Sequence, residues 1–323
     1  MREQRVPAGQ AAGCVLFSAV YQTDGRRLFA KGHLVTKEDA QLLEANGIGD
    51  VRIAELEQGE VGEAESALQI AEAIAQGPLE IRMAHGGVAI LAATERCCLV
   101  VDQRQLNRIN CAGSVVVATL PNFSLVDAGQ QVARVKSAPL AILKRELEHL
   151  KSIIEESQPV IQAATIRAPS IGVLYSDVLD GERARRLFEN ATCRRLEQFG
   201  TGVSKSLASI EKEEAMVRCL RALLLTRPTL VLVASTTAPA GPADVVGRSM
   251  CGAGCVIERF LAPVEPGSLA LLGYYHDIPV ISAPGCHRSV KPNVLDLLLP
   301  PLLSGYRVSR RDIAGFGAGG LLA

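Results

Sequence analysis

Residues 235–244 form the first segment whose residue types and spacing suit ligand chemistry. An apolar run, Thr229–Ser235, ends in a loop of small and hydroxyl-bearing residues. Small side chains let the backbone approach a ligand, and the N–H groups of a helix predicted to start near Pro242 favour an anion. Asp244 is expected in the first turn of that helix, where the helix dipole favours a carboxylate. The pattern fits both a ligand-binding loop and an ordinary strand-to-helix turn, and its candidate binding residues are Ser235, Thr236, Thr237, Gly241 and Asp244.

Residues 284–293 form a second polar segment, between a predicted strand and a predicted helix. Arg288 and Lys291 supply positive charge, and Ser289 can donate a hydrogen bond. Gly285 permits an unusual backbone angle, and Asn293 is expected to cap the helix that follows. The composition suits a phosphate or a polar heterocycle, and a solvated polar loop is the alternative. The candidate binding residues here are Pro284, Gly285, Arg288, Ser289 and Lys291.

A third segment, residues 264–268, carries a Pro-Gly pair preceded by an acid. Pro-Gly is first of all a turn signal, so on its own this segment is weak evidence for a ligand site. The candidate binding residues are Pro266, Gly267 and Ser268.

Several familiar kinds of site do not match the sequence. Cys251 and Cys255 are separated by three residues, which is not the spacing of known zinc sites. The sequence has neither a G-x-S-x-G elbow nor a glycine-rich stretch followed by Gly-Lys-Ser/Thr. The glycines of residues 315–320 follow no strand-helix unit and are expected in a flexible tail. A zinc site, a serine hydrolase, a P-loop enzyme and a Rossmann dinucleotide site are therefore all disfavoured.

The composition of the 323 residues limits the classes of partner. Lys plus Arg equals Asp plus Glu, 34 each, which argues against broad nucleic-acid binding because such binding needs a basic surface. No apolar run reaches the roughly 18 residues of a membrane span. No apolar stretch of signal-peptide type follows MREQRVPAGQ, and nine cysteines are an odd number. We therefore expect a cytoplasmic protein with mostly buried thiols that binds neither membrane nor nucleic acid.

The elements that must position these segments are of the α/β class. We predict a three-layer domain with a mostly parallel sheet at the C-terminus, preceded by a small α+β segment and a β-rich module. Local signals include a strand over Cys14–Gln22, a helix capped by Thr36 and Asp39 and closed by Gly47, and a helix from Leu140 to Ser157. Ligands of such sheets bind at the carboxyl ends of the strands. The predicted boundaries are 1–77 for the α+β segment, 78–142 for the β-rich module, 143–162 for a helical connector, 163–310 for the α/β domain and 311–323 for the tail.

The order of the three segments resembles the molybdopterin-binding superfamily, which includes molybdopterin adenylyltransferases and molybdenum insertases. A strand ending in small residues is followed by Gly-Pro-Ala-Asp-Val-Val, by Val-Glu-Pro-Gly and by Pro-Gly, in that order. Residues 29–61 and 283–305 are similar to one subgroup. Its members carry a molybdopterin-binding region, sometimes fused to a molybdenum-cofactor nucleotidyltransferase.

The resemblance implies a domain whose strand-end loops bind the pterin-dithiolene phosphate. Gly241 and Asp244 match the family's glycine-rich segment, whereas its paired glycines are Thr236 and Thr237 here and its serine is Pro239. Asp177 matches the acid of the insertase Gly-Asp-Glu-Leu motif, whose glutamate position is Val178. The resemblance thus makes Asp177 and Asp244 the candidate catalytic residues and magnesium ligands. Because valine has no side-chain oxygen, a magnesium site at this motif would lack the ligand that the glutamate provides.

The resemblance implies one main function and two alternatives. The main one is binding of molybdopterin or another molybdenum-cofactor precursor during the biosynthesis or handling of that cofactor. The alternatives are a magnesium-dependent molybdopterin adenylyltransferase or molybdenum insertase, and a relative of the nucleotide pyrophosphatases. The missing glutamate favours binding without turnover. The expected partners are a pterin or nucleotide small molecule, a molybdenum-cofactor nucleotidyltransferase, and further copies of the chain in a homo-oligomer.

Overall fold

The computed structural model describes residues 1–84, 86–237 and 239–322, so Ala238 of the first predicted loop lies outside the described residues, as do His85 and Ala323. The chain divides into two compact units. The first comprises Met1–Asn122 and Val126–Ala163, and the second Phe123–Leu125 and Ala164–Ala323. None of the helices in the described residues combines the length and the apolar character that a membrane span requires.

The elements up to residue 165 include four helices and fifteen strands in the described residues. In chain order they are β1 (Arg2–Pro7), β2 (Val15–Leu16), β3 (Val20–Tyr21), β4 (Arg27–Phe29), α1 (Lys37–Ala45), β5 (Asp50–Glu55), β6 (Glu60–Gly62), α2 (Glu63–Ile74), β7 (Ala75–Gln76), β8 (Leu79–Ala84), β9 (Val88–Ala93), β10 (Cys97–Val101), α3 (Gln103–Ala112), β11 (Val115–Thr119), β12 (Leu125–Val126), β13 (Gln131–Ser137), β14 (Ala141–Leu143), α4 (Lys144–Glu155) and β15 (Ile161–Thr165). A single 3-10 turn, Ala8–Gln10, joins β1 to β2.

The core of the first unit forms between an antiparallel sheet and one amphipathic helix. The sheet has the strand order β11-β13-β9-β8. Helix α2 buries Ala67, Ile70 and Ile74, which recur at helical spacing, against residues such as Leu91 and Val135 of that sheet. A smaller core lies around α1 and the sheet of order β1-β5-β2.

The capping signals predicted for α1 are confirmed. The Thr36 hydroxyl accepts a hydrogen bond from the Asp39 N–H at 3.1 Å, and the Asp39 carboxylate accepts one from the Thr36 N–H at 3.0 Å. Gly47 follows the helix with a φ of 73°, a left-handed conformation that favours glycine. These local interactions were readable from the sequence because each partner lies within one turn of the other.

Two local predictions in the first unit were wrong, and the segment predicted as β-rich also contains a helix. Helix α3 lies inside the segment predicted as β-rich, and Asp102 caps it by accepting from the Gln105 N–H at 3.0 Å. The strand predicted over Cys14–Gln22 is two short strands, β2 and β3. The helix predicted from Leu140 begins only at α4, because β14 pairs with β6 immediately before it.

The second unit contains the predicted α/β sheet. Its elements are β16 (Ile171–Asp177), α5 (Gly181–Glu197), β17 (Val203–Ile210), α6 (Glu213–Leu224), β18 (Leu230–Ser235), α7 (Val245–Gly252), β19 (Val256–Phe260), β20 (Leu271–Tyr275), β21 (Ile278–Ser282), a 3-10 turn (Gly285–Arg288), α8 (Val294–Leu303) and α9 (Arg310–Gly315).

The six-stranded sheet of this unit has the order β17-β16-β18-β21-β20-β19. The first four strands are parallel, and β20 is antiparallel to both of its neighbours, β21 and β19, so the sheet is mostly parallel, as predicted. Side chains alternate between the two faces along each strand. Val173 and Leu232 pack with Phe188 of α5 on one face, called here the α5 face. On the opposite face, the α6 face, Leu174 and Val233 pack with helices α6 and α7. Strands β18 and β21 correspond to strands predicted from the sequence, whereas β17, β19 and β20 were not predicted.

The C-terminal residues pack back onto the second unit, which corrects the flexible tail expected over 311–323. Residues 310–315 form α9. The Glu265 N–H donates to the Gly320 carbonyl at 2.7 Å, and the Leu322 N–H donates to the Glu265 carbonyl at 2.8 Å. These two backbone hydrogen bonds hold residues 320–322 beside the loop that precedes β20.

Candidate functional site

The carboxyl edge of the parallel strands brings the three predicted segments together. Segments 235–244 and 284–293 follow β18 and β21. The third segment lies in the loop before β20, whose first residue, Leu271, pairs with the last residue of β21, Ser282. Arg288 joins two of the segments, because its Nη2 donates to the Thr236 carbonyl at 3.2 Å.

Asp177, at the end of β16, is fully buried on the α5 face and surrounded by donors. Its Oδ1 accepts from the Leu179 and Asp180 N–H groups at 2.8 and 3.2 Å. Its Oδ2 accepts from the Thr236 hydroxyl at 2.6 Å and from Nη1 of Arg183 at 2.7 Å. The Thr236 hydrogen bond, the two N–H groups and the Arg183 charge lower the pKa of Asp177 to about 2. The carboxylate thus closes the β16–α5 turn and holds the start of the 235–244 loop.

Glu211 forms a second carboxylate centre, on the α6 face, and the sequence analysis missed it. The Ser235 hydroxyl donates to its Oε2 at 2.8 Å, and the Thr237 hydroxyl donates to its Oε1. The Glu211 N–H donates to the Asp177 carbonyl at 2.8 Å, so the two acids follow neighbouring strands. Its position directly after a strand could have indicated Glu211 as a site residue, but that strand, β17, had not been predicted.

Asp244 caps α7 and does not lie in its first turn, as had been expected. Helix α7 begins at Val245, and Oδ1 of Asp244 accepts from the Gly247 N–H at 2.8 Å. Its Oδ2 accepts from the Ala240 N–H at 2.6 Å, which closes the loop onto the helix. The carboxylate therefore satisfies one of the free N–H groups at the helix start and fixes the loop before it.

Replacing this cap should destabilise the second unit moderately. We expect Asp244→Ala to lower the free energy of unfolding by about 0.5–2 kcal/mol, the range measured for lost N-caps. Asp244→Asn keeps an oxygen that can accept from the Gly247 N–H and should lose less. Urea unfolding of the two variants beside the parent protein measures the difference. Equal stability of Asp244→Ala and the parent would show that the cap contributes nothing.

Segment 284–293 is held against α5 by Arg195, whose side chain is only 2% exposed. Nη1 of Arg195 donates to the Ser289 carbonyl at 2.9 Å, and Nη2 donates to the Lys291 carbonyl. Its Nε lies 3.2 Å from Oδ1 of Asp296, in the first turn of α8. Asn293 caps α8 as predicted, since its Oδ1 accepts from the Leu295 N–H at 2.9 Å. Arg195 therefore fixes the backbone of the predicted basic loop, and the sequence analysis did not identify it.

His287 is the second buried anchor of this loop. Its Nε2 lies 2.8 Å from the Thr192 hydroxyl, and its Nδ1 lies 3.4 Å from Nη1 of Arg195. The Thr192 hydroxyl donates to the Phe188 carbonyl, so it accepts from His287, which assigns the proton of the neutral ring to Nε2. Burial and the Arg195 charge lower the pKa of His287 to about 3. The imidazole is therefore a neutral structural hydrogen-bonding group.

The remaining predicted residues differ in role. Gly267 has a φ of 125°, and a Cβ there would lie 2.8 Å from the Val294 nitrogen, so only glycine fits this approach to α8. Gly285 begins a 3-10 turn, in which φ is negative and any residue can be accommodated. The prediction of an unusual backbone angle at Gly285 was therefore wrong. In segment 284–293 the predicted residues Arg288, Ser289 and Lys291 are exposed to solvent.

The acids predicted as magnesium ligands do not fit that role as they are placed. A carboxylate offers about four lone-pair positions, and protein donors take all four of them in Asp177. Each oxygen of Asp244 accepts one backbone N–H, and these two hydrogen bonds fix the carboxylate as the cap of α7. Within residues 1–84, 86–237 and 239–322, no group of three or more His, Cys, Asp or Glu side chains is arranged to hold a metal ion. Magnesium needs oxygen ligands that are free to coordinate it.

Comparison with known proteins gives only distant similarities. No protein-family model matches the chain, and no curated protein matches it. Among solved structures, the chain is similar to a molybdenum cofactor biosynthesis protein from Pyrococcus furiosus, with 11% identity, a TM-score of 0.28 and coverage of 95% of this chain and 66% of that one. Two structures of a molybdopterin biosynthesis MoeA protein from Pyrococcus horikoshii show 9% and 10% identity, TM-scores of 0.32 and 0.27, and coverage of 94% and 97% of this chain and 75% of theirs. Values this low establish neither the family nor the function of the chain.

Proposed function

We propose that the second unit binds molybdopterin, or a closely related precursor of the molybdenum cofactor, at the carboxyl edge of its six-stranded sheet. The observation that carries the proposal is the hydrogen bond from Arg288 to the Thr236 carbonyl. It joins two loops that were singled out separately, one for its small and hydroxyl residues and one for its basic residues. Both loops belong to the motif order that resembles the molybdopterin-binding superfamily.

The charges at this edge suit a ligand with one anionic end. Arg288, Ser289 and Lys291 are exposed on a loop whose backbone Arg195 holds in place. The Arg288 guanidinium lies over the Phe188 ring, 5.5 Å from its centroid, which restricts the side chain further. A guanidinium held in this way is suited to phosphate oxygens, which accept paired N–H donors. We therefore place the phosphate of the ligand at Arg288.

Binding without turnover is favoured over the magnesium-dependent reactions. The acid that those reactions would use at β16, Asp177, has no free lone pair, and Val178 follows it in place of a second acid. On this proposal the protein holds the pterin species and passes it to a partner such as a molybdenum-cofactor nucleotidyltransferase.

Calorimetric titration with molybdopterin tests the binding proposal directly. We expect binding with a Kd that changes less than about twofold when magnesium is added, because Asp177, the acid proposed to hold the ion, has no lone pair left to coordinate it. Titrations with AMP and with magnesium-ATP should show weaker binding. Absence of molybdopterin binding contradicts the proposal, and binding that requires magnesium would support an adenylyltransferase or insertase instead.

The phosphate assignment has its own test in Arg288→Ala. We expect the affinity for molybdopterin to fall about 10- to 100-fold, as for a lost charge-assisted hydrogen bond of about 1.5–3 kcal/mol, while an unphosphorylated pterin loses much less. Arg227→Ala is the matched control, because Arg227 is also exposed but lies at the opposite edge, before β18 begins. Equal losses for the two ligands would show that Arg288 does not bind the phosphate.

A further inference from the structure

A row of serine side chains crosses the α6 face of the sheet at its carboxyl edge. Ser176 of β16 pairs in register with Ser209 of β17 and with Ser235 of β18. Residues directly opposite each other in neighbouring strands present their side chains on the same face. Ser282 of β21 pairs with Val233, which packs on this same face. Four buried serine side chains therefore lie near strand ends on the face that carries Glu211.

Two of these hydroxyls have no hydrogen-bond partner among the residues that the structure describes. The side-chain oxygens of Ser176 and Ser282 are buried and unpaired, and both residues are 0% exposed. Ser209 turns its hydroxyl to the Ile210 carbonyl, and Ser235 donates to Glu211. A buried hydroxyl without a partner costs free energy that an alanine would avoid.

Glu211, unlike Asp177, can still accept further hydrogen bonds. Each of its oxygens accepts one hydroxyl hydrogen bond, from Ser235 and from Thr237, so about two of its four lone-pair positions remain. The side chain is only partly buried, and no basic side chain is hydrogen-bonded or ion-paired to it in the described residues. A carboxylate that is fixed by two hydroxyls and keeps one lone pair on each oxygen is shaped to accept two parallel N–H groups.

We infer that Glu211, held by Ser235 and Thr237, binds the 2-amino-4-oxopyrimidine edge of the ligand, which is shared by pterins and guanine. This inference rests on the proposed function. The amino group and the adjacent ring N–H of that edge are two parallel donors, spaced like the two oxygens of a carboxylate. The heterocycle then lies toward the α6 face and the phosphate toward Arg288, which sets the direction of the ligand across the sheet edge. Glu211 is a specificity-determining residue on this account.

The experiment compares two probes that differ at the position expected to face Glu211. One probe is 6-hydroxymethylpterin, and the other is the matching lumazine, in which a carbonyl oxygen replaces the 2-amino group. We expect the parent protein to bind the pterin at least about 10-fold more tightly, because the lumazine oxygen faces a carboxylate instead of donating to it. Both titrations can be followed by the fluorescence of the ring. Equal affinities in the parent protein would overturn the inference.

The variant Glu211→Gln then tests whether Glu211 causes the preference for the pterin over the lumazine. We expect the ratio of pterin to lumazine affinity to fall to about one, with molybdopterin binding weakened by about 10-fold or more. Glu214→Gln is the matched control, an exposed acid three residues further along, in the first turn of α6. It should keep both the ratio and the molybdopterin affinity. Unfolding curves for both variants establish that they are folded.

The outcomes separate this inference from the proposed function. If molybdopterin does not bind the parent protein, the proposed function fails and the inference fails with it. If molybdopterin binds but Glu211→Gln keeps the pterin preference, only the assignment of Glu211 fails. Guanosine monophosphate is the third probe, and tighter binding of it than of molybdopterin would assign the pocket to a guanine nucleotide and overturn the pterin.

Discussion

Arg195→Met should lower the free energy of unfolding by about 3–5 kcal/mol, the range for a broken buried ion pair. The guanidinium is 2% exposed, donates to the carbonyls of Ser289 and Lys291, and lies beside Asp296. Methionine fills much of the same volume, so the loss measures the polar contacts more than a cavity. Because Asp296 is about a quarter exposed, water can reach it, and we expect a value near the lower limit.

Urea unfolding with Arg194→Met as the control measures this effect. Arg194 is the preceding residue of α5 and is exposed, so its replacement should change the free energy of unfolding by less than about 0.5 kcal/mol. Similar losses in the two variants would show that the buried contacts of Arg195 are not what stabilises the unit. Arg195→Lys is informative as well, because a single ammonium group cannot donate to two separated carbonyls from the same position as the guanidinium fork.

The central strands could be predicted from the sequence because they are buried on both faces. Every residue of β16 and β18 is buried, which gives continuous apolar runs bounded by polar residues. Strand β17 is an edge strand in which only Ser209 is buried, so its sequence, VSKSLASI, has no such run. Segment 203–210 is a strand because it pairs with β16, and the sequence of the segment itself does not indicate this pairing.

The candidate site was predictable only where its interactions are local. The loops after β18 and β21 and the cap at Asn293 are visible in short windows of sequence. Glu211, in contrast, acquires its role from hydroxyls 24 and 26 residues away. Arg195 contacts loop residues more than 90 positions further on. A buried arginine also runs against the usual exposure of that residue, so no pattern in α5 indicated it.

The fold also gives a role to two residues that depart from the glycine-rich motif of the superfamily that the sequence resembles. Thr236 and Thr237 stand where that motif has glycines, and each hydroxyl donates to a carboxylate, Asp177 or Glu211. The loop is thus fastened to two strand ends by side chains that glycine lacks. A loop held in this way is suited to binding a ligand in one orientation, and it agrees with the proposal of binding without turnover.

The largest pH effect should come from His287. Its pKa is lowered to about 3 in the folded protein, mainly because burial disfavours the charged ring and also because Arg195 lies beside it. In the unfolded chain the ordinary value is about 6.5. Between these two values the unfolded chain takes up a proton that the folded protein does not. The stability from this group is therefore complete above about pH 6.5 and is lost as the pH falls from 6.5 toward 3.

The slope of the free energy of unfolding against pH measures this linkage. One proton of difference corresponds to about 1.4 kcal/mol per pH unit, so we expect a loss of about 2–3 kcal/mol between pH 6.5 and pH 4.5 from His287 alone. His287→Gln keeps polar atoms that can face Thr192 and Arg195, and it should lose this part of the slope even if its stability at pH 7 is lower. His149→Gln, an exposed histidine of α4, controls for the loss of a histidine in general. The ring nitrogen signals of His287 should remain those of a neutral imidazole at pH 4.5, and a protonated ring at that pH would contradict its role as a neutral anchor of the 284–293 loop.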